Sequence, residues 1–235
     1  LTAKALGVEL LVHYGHSCLI PADQTSGLKV LYVFVDIKID PLHFIDTIKL
    51  NFSNDKKIGL VSTIQFVTTL QLVSKELKLL GFEVSVPQIK PLSPGEILGC
   101  TSPVLKCVDT LIYLGDGRFH IESAMIANPK LEAFRYDPYE KKLTREIYDH
   151  DQMKTNRLQA IDNARNGLLE NGTFGIIMGT LGRQGSPKVV DYLHRRLSEN
   201  NIKSVIILLS EIFPDKLKLF SDLNGFVQIA CPRLS

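Results

Sequence analysis

Residues 58–86 read IGLVSTIQFVTTLQLVSKELKLLGFEVSV, and this stretch decides the fold class. Ile58–Ser62 is an apolar, β-branched run, the near-continuous hydrophobicity of a strand buried on both faces. A helical pattern follows over Phe66–Leu80, where Phe66, Leu70, Val73, Leu77 and Leu80 share one stripe at three- and four-residue spacing. Gly81 stops it, as a left-handed residue past a helix end commonly does. Val84–Val86 is the next strand. Strand, helix and strand make a βαβ unit, the building block of parallel α/β sheets.

The same pattern recurs outward from it. Glu9–His13, Val30–Val35, Thr110–Leu114, Phe174–Met178, Ser204–Leu209 and Gly225–Ile229 are further strand candidates. Pro187–Leu197 is a second helix, with Ser186 at its N-cap and Pro187 at its first position. Ile58–Ser62, helix, Val84–Val86 and Thr110–Leu114 form one series. Phe174–Met178, helix, Ser204–Leu209 and Gly225–Ile229 form another. The first and last strands of the two series lie almost equally far apart in sequence, and the middle strands a few residues more. VELLVHYGHSC (residues 8–18) resembles VDTLIYLGDGRF (residues 108–119), so the N-terminal segment reads as the end of a still earlier copy. The expected organisation is a remnant over residues 1–24, a second α/β domain over 25–150 and a third over 151–235. A chain that starts at Leu1 without a methionine fits a piece of a longer protein: two full copies and the tail of a third.

Composition sets the outer limits. The 235 residues are 45% hydrophobic and 22% charged, enough apolar material for a packed core. Lys+Arg 27 against Asp+Glu 25 leaves a net charge of +2, without the basic excess of a nucleic-acid-coating protein. No apolar run reaches the roughly 18 residues of a membrane span, and the start lacks the marks of a signal peptide. Four cysteines are too few for a disulfide scaffold, so a reducing compartment, the cytoplasm, is expected.

Between the two series, residues 128–171 are rich in charged and aromatic side chains. Their first half reads as a polar crossing segment with a turn at Asp137-Pro138. Their second half reads as an amphipathic connecting helix over Gln152–Leu169, with Leu158, Ile161, Ala164 and Leu168 on its apolar stripe.

Ligands of parallel α/β sheets bind beyond the carboxyl ends of the strands, which directs attention to four loops. These begin Gly15-His16-Ser17-Cys18, Gly115-Asp116-Gly117-Arg118, Gly179-Thr180-Leu181-Gly182-Arg183-Gln184 and Cys231-Pro232-Arg233. The Gly179–Pro187 loop has the physics of an anion cradle, since glycines admit close backbone approach and a helix start presents free N–H groups. Its GxxGxxG spacing is neither a P-loop nor the dinucleotide fingerprint, and a structural tight turn fits it as well. Arg183 and Gln184 at its tip could bind a carboxylate or a nucleotide.

Cys100 lies in Pro91-Leu92-Ser93-Pro94-Gly95-Glu96-Ile97-Leu98-Gly99-Cys100. Ser93 with Glu96 fits the capping box of a miniature helix that Gly99 would end, delivering the thiol at a loop. A small buried apolar cysteine is the other reading of the same residues. Cys231 precedes a proline, as cluster-ligating cysteines often do. Cys107, in a helix-like stretch, reads as core, and Cys18 is unconstrained. Without a CxxC motif, any metal held by Cys100 and Cys231 has to be assembled by the fold. His16 and His120, in strand-end loops, are the histidines placed for a site, whereas His194 reads as a surface residue.

LVHYGHSCLIP, LYVFVDIKID, LVSTIQFV, KPLSPGEILGCTSP, YLGDGRFHIESAMIANP, FRYDPY, GTLGRQGSP, LLSEIFPDKL and ACPRLS run through the whole chain in order. Together they resemble the diphthamide synthase subunit 1 family, the 2-(3-amino-3-carboxypropyl)histidine synthases. The resemblance implies three homologous α/β domains around a pseudo-threefold centre, each giving one cysteine to a [4Fe-4S] cluster. It implies reductive cleavage of S-adenosylmethionine and transfer of its 3-amino-3-carboxypropyl group, as a radical, to histidine C2 of translation elongation factor 2.

Carried over by motif, Cys100 and Cys231 are the second- and third-domain metal ligands. The first-domain cysteine is expected just upstream of Leu1, and Cys18 does not match it. Gly182, Arg183, Gln184, Arg118 and Arg233 are the expected cofactor-binding residues. A paralogous second subunit forming a heterodimer and a small metal-binding electron carrier are the implied partners. Two other readings stay open: a non-catalytic partner of such an enzyme, and a sugar- or nucleotide-binding α/β protein using the Gly179–Pro187 loop.

Overall fold

In the computed structural model, β3 (Lys57–Ser62) is buried along nearly its whole length because both faces of its sheet are covered. The structure describes residues 3, 6–15, 28–90, 92–99, 101–169, 171–180 and 185–230. They fall into two compact units, residues 8–148 and residues 149–235 with 1–7.

The first unit begins with β1 (Leu10–Tyr14) paired in parallel with β2 (Lys29–Val33). Helix α1 (Pro41–Asn51) follows, its first turn closed by Asp40 accepting from the Leu42 N–H at 3.0 Å. This helix is not among the expected elements, although Asp40-Pro41 is an N-terminal signal and Phe44, Ile45 and Ile48 are its buried face. Beyond β3 come a 3₁₀ turn (Ile64–Phe66), α2 (Val67–Leu79), β4 (Glu83–Ser85), β5 (Thr110–Leu114), α3 (Phe119–Ala127), β6 (Glu132–Asp137) and β7 (Lys142–Glu146). The sheet order is β4-β3-β5-β6-β7, parallel except for β7.

Strand alternation sorts the core into two layers. Ile58, Leu60, Ile112 and Leu114 pack with Phe44 and Ile48 of α1 and Leu70, Val73 and Leu77 of α2. Val61, Leu111 and Tyr113 face the other way, against Ile121, Ala124 and Met125 of α3. Each fully buried Leu or Ile here contributes about 1.5–3 kcal/mol relative to exposure. The end of α2 is the expected one: Gly81 takes φ +90, Phe82 N–H donates to Leu77 and Gly81 N–H to Lys78.

Two expectations fail in this unit. The polar crossing segment is half strand: β6 and β7 form an antiparallel hairpin that extends the sheet. The turn does fall after Asp137, whose Oδ1 accepts from the Tyr139 and Glu140 N–H groups. The charged residues disguised the strands because they pair with one another, with Arg135 on Glu146 and Asp137 at 3.1 Å each. Cys107 is no core residue either; it is exposed at φ 57, in a bend rather than a helix.

In the second unit, α4 (His150–Leu169) is capped by Asp149, which accepts from Gln152 N–H at 2.8 Å. Leu158, Ile161 and Leu168 on its stripe stay exposed. There follow β8 (Thr173–Gly179), α5 (Pro187–Glu199), β9 (Lys203–Leu209), the short α6 (Pro214–Leu217) and β10 (Gly225–Ile229). Ser186 and Pro187 do open α5, although the serine hydroxyl makes no capping bond. His194 on α5 is half-buried rather than free on the surface, with its Nδ1 2.8 Å from Ser204 Oγ.

The two units share a strand plan. β8 is central with β9 and β10 on either side, all parallel, as β3 is central between β4 and β5. Register agrees as well: Ile58 opposes Thr110, and Phe174 opposes Gly225. The β1–β2 pair matches β5–β6 in turn. Gly15 N–H donates to Val33, and Gly115 N–H to Tyr136, both at 3.1 Å.

Candidate functional site

The carboxyl ends of the parallel strands of residues 8–148 converge on a cleft of about 340 Å³. Four strand ends and one loop line it. Gly15 follows β1, Val35 and Ile37 follow β2, and Thr63, Ile64 and Gln65 follow β3. Ile97 and Leu98 come from the loop leading to Cys100, and Asp116 and His120 follow β5. Ile37 N–H donates to the Gln65 carbonyl at 2.9 Å, which ties two of these ends together.

The loop to Cys100 is built differently from the expected capping box. Ser93-Pro94-Gly95-Glu96 is a β-turn, closed by Glu96 N–H donating to Ser93 at 3.0 Å, with Gly95 at φ +84. Proline at the second position and a positive φ at the third favour this turn over a helical one. One half of the box survives, as Ser93 N–H donates to Glu96 Oε2 at 3.0 Å. The turn then docks on the end of β3: Ser62 N–H donates to Gly95 at 2.8 Å, and Ile97 N–H to Ser62 at 2.9 Å.

Leu98 and Thr101 exchange both backbone hydrogen bonds, at 3.0 and 3.2 Å. Gly99 lies against the Phe119 ring, so a Cβ there would meet the ring at 1.9 Å. On the far side, the buried Asn128 amide donates to the carbonyls of Pro103 and Ala124 and accepts from Leu105 N–H at 2.7 Å. The residues flanking Cys100 are thus braced before and after it. The Ser102 hydroxyl is buried with no partner among the described residues.

Of the residues expected at the site, Cys100, Cys231, Gly182, Arg183, Gln184 and Arg233 lie outside the described residues, as do Cys18 and His16. Arg118 is described, and it is committed elsewhere. Its Nε and Nη1 pair with Glu122 and Glu146 at 3.4 and 3.3 Å, and its Nη2 donates to the Ile147 carbonyl at 3.0 Å. The structure brings its neighbours Asp116 and His120 into the cleft instead. His120 packs between Tyr113 and Phe119, with ring centroids 6.5 and 5.4 Å away. Tyr113 is fully buried, and desolvation pushes its phenol well above the usual tyrosine range, against a smaller opposite pull from Thr63. Gln65, Asp116, Glu96 and Asn128 escaped the sequence reading as site residues. Asp116 carried a signal in its strand-end loop, and Glu96 in its three-residue spacing from Ser93.

A family model described as putative diphthamide synthesis protein matches residues 1–235. Among curated relatives, 2-(3-amino-3-carboxypropyl)histidine synthase subunit 1 of Nematostella vectensis is 57% identical over 234 residues, covering 100% of this chain and 49% of that protein. The Homo sapiens protein of the same name is 57% identical over 236 residues, covering 100% and 53%. The Schizosaccharomyces pombe one is 54% identical over 242 residues, covering 100% and 54%. The chain spans about half the length of these relatives. Among solved structures, Dph2 from Pyrococcus horikoshii superposes with a TM-score of 0.72 at 25% identity, covering 99% of this chain and 67% of that one. Dph2 from the same organism with a 4Fe-4S cluster gives a TM-score of 0.73 at 24% identity over the same shares, a likeness of fold.

Proposed function

The chain belongs to the family of diphthamide synthesis proteins, and from that premise we propose that it is part of the catalytic subunit of a 2-(3-amino-3-carboxypropyl)histidine synthase. In this reading the complete subunit transfers the 3-amino-3-carboxypropyl group of S-adenosylmethionine to C2 of a histidine of translation elongation factor 2. It works in the cytoplasm, as a heterodimer with a paralogous second subunit and with electrons from a small metal-binding carrier protein. The match of all 235 residues to synthase subunits of that name carries the reading.

The donor set fits an iron-sulfur cluster in part. Cys100 and Cys231 would supply two thiolates, and the third would come from elsewhere in the full-length protein. The buried hydroxyl of Ser102, two residues from Cys100 and without a partner among the described residues, is a donor that a thiolate or sulfide sulfur could take. When bound and reduced, such a cluster supplies the one electron that breaks the Cγ–S bond of S-adenosylmethionine, leaving 5′-methylthioadenosine and the aminocarboxypropyl radical.

This chain's own residues would then do the positioning. The Ser93–Glu96 turn and Asn128 hold the segment that carries Cys100. The strand-end loops shape a cleft with aliphatic walls beside it. Gly182, Arg183, Gln184 and Arg233 remain the proposed contacts to the carboxylate and nucleoside ends of the cofactor. Arg118 is assigned the task of fixing the Asp116 loop through Glu146.

The test is anaerobic reconstitution of the full-length protein with its partner subunit. Cys100→Ala and Cys231→Ala are each expected to remove most of the bound iron. The wild-type complex is expected to release 5′-methylthioadenosine from S-adenosylmethionine with dithionite. Unchanged iron in both variants would refute the ligand assignment. A loaded complex that leaves S-adenosylmethionine intact would instead favour the non-catalytic partner.

A further inference from the structure

The cleft of residues 8–148 has a marked chemical character. Val35, Ile37, Ile64, Ile97 and Leu98 make the aliphatic part of its walls, and Thr63, Gln65 and His120 the neutral polar part. Asp116 is the one carboxylate among the described lining residues, and no lysine or arginine joins it there. Among the described lining residues the formal charge is therefore negative.

The Asp116 main chain is held from three sides. The preceding Gly115 donates its N–H to the Tyr136 carbonyl at 3.1 Å. The Tyr113 hydroxyl donates to the Asp116 carbonyl itself at 3.3 Å, and burial keeps that phenol protonated. Two residues on, Arg118 is clamped by Glu146, Glu122 and the Ile147 carbonyl. All this fixes the backbone and leaves the carboxylate unpaired among the described residues. The backbone that carries the carboxylate is thus set in place beforehand, which lowers the reorganisation needed when a ligand binds.

We infer that this cleft selects a cationic ligand and that Asp116 holds its positive centre. The aliphatic part of the lining fits a cation with carbon substituents. A sulfonium has no N–H donors to satisfy, so the carboxylate alone can meet its charge while its substituents lie along Val35, Ile37, Ile64, Ile97 and Leu98. Resting on the function proposed above, the positive centre is the sulfonium of S-adenosylmethionine, and Asp116 is the residue that distinguishes this ligand from its neutral thioether counterpart.

Calorimetry on the full-length protein, reconstituted anaerobically with its partner subunit and kept without reductant, tests this. The probes are S-adenosylmethionine and S-adenosylhomocysteine, which differ by one methyl group and the positive charge. Asp116 is exposed, so solvent screening limits the expected effect to about tenfold. The wild type is expected to bind S-adenosylmethionine about tenfold more tightly than S-adenosylhomocysteine. Asp116→Asn and Asp116→Ser should both abolish that preference by weakening only S-adenosylmethionine, and Asp116→Glu should keep most of it. If the wild type binds S-adenosylmethionine and the uncharged variants lose both ligands equally, or neither, the inference is overturned while the functional reading stands. If the wild type binds neither ligand, the functional reading falls and this inference with it.

Discussion

The ring of Phe119, the first residue of α3, occupies the space a Cβ on Gly99 would need, with Cε1 1.9 Å and Cζ 2.5 Å from that position. The contact joins the segment before Cys100 to the helix that follows the β5 loop. Two segments that border the cleft, ending in Leu98 and opening on His120, are therefore packed against each other.

Gly99→Ala forces the ring or the backbone to shift, an overpacking cost of about 1–3 kcal/mol. The expected result is a lower thermal midpoint and a lower iron content after reconstitution. Phe119→Ala in the same chain should recover a large part of the loss in a double-mutant cycle. Strict additivity of the two changes would show that the contact carries no energy.

Asn128→Ala leaves the Leu105 N–H and the Pro103 carbonyl without their partner behind the Cys100 segment. The cost is about 2–4 kcal/mol at a buried site. Urea denaturation should show a lowered midpoint with an unchanged slope. A midpoint equal to wild type would mean that water replaces the amide.

Glu146 bridges Arg118 and Arg135 with its side chain 6% exposed. Glu146→Ala should destabilise by about 2–4 kcal/mol, since it strands the partly buried Arg135 beside only Asp137. Glu146→Gln keeps the shape and one accepting oxygen and should lose less. Equal losses in the two variants would assign the whole effect to the charge, and no loss in Glu146→Gln would assign it to packing.

Tyr136 is held up to about 12, first by desolvation and then by the negative charges of Asp40 and Asp137. Folding thus favours its protonated form, and the phenol is placed 2.8 Å from His43 Nδ1. Its contribution is fully present below the unfolded-state value near 10 and is lost as pH rises from there through 12. Tyr113 shifts in the same direction. Ultraviolet titration should show delayed tyrosinate formation in the folded protein, and Tyr136→Phe should flatten the alkaline fall in thermal midpoint.

Strand type was legible wherever both faces of the sheet are covered. Ile58–Ser62 and Thr110–Leu114 are continuous apolar runs because α1 and α2 lie over one face and α3 over the other. The far end of the sheet was harder to read. β6 and β7 carry Arg135, Asp137 and Glu146, whose mutual ion pairs make a strand look like a polar linker. Ser93-Pro94-Gly95-Glu96 fitted a helix start by spacing, yet the left-handed Gly95 and the docking onto Ser62 make it a turn. The family, too, was legible, because its motifs run in unbroken order from residue 11 to residue 235.

The sequence by itself determined the alternation of strands and helices, the topological repeat and the residues eligible for chemistry. Those properties follow from periodicity, side-chain shape and turn chemistry, which act over a few residues at a time. Only the tertiary structure decided that Gln65, Ile97, Asp116 and His120 share one cleft and that Arg118 is spent on Glu146. Parallel strands gather their carboxyl ends on one edge whatever their separation along the chain, so no local pattern records which side chains meet there.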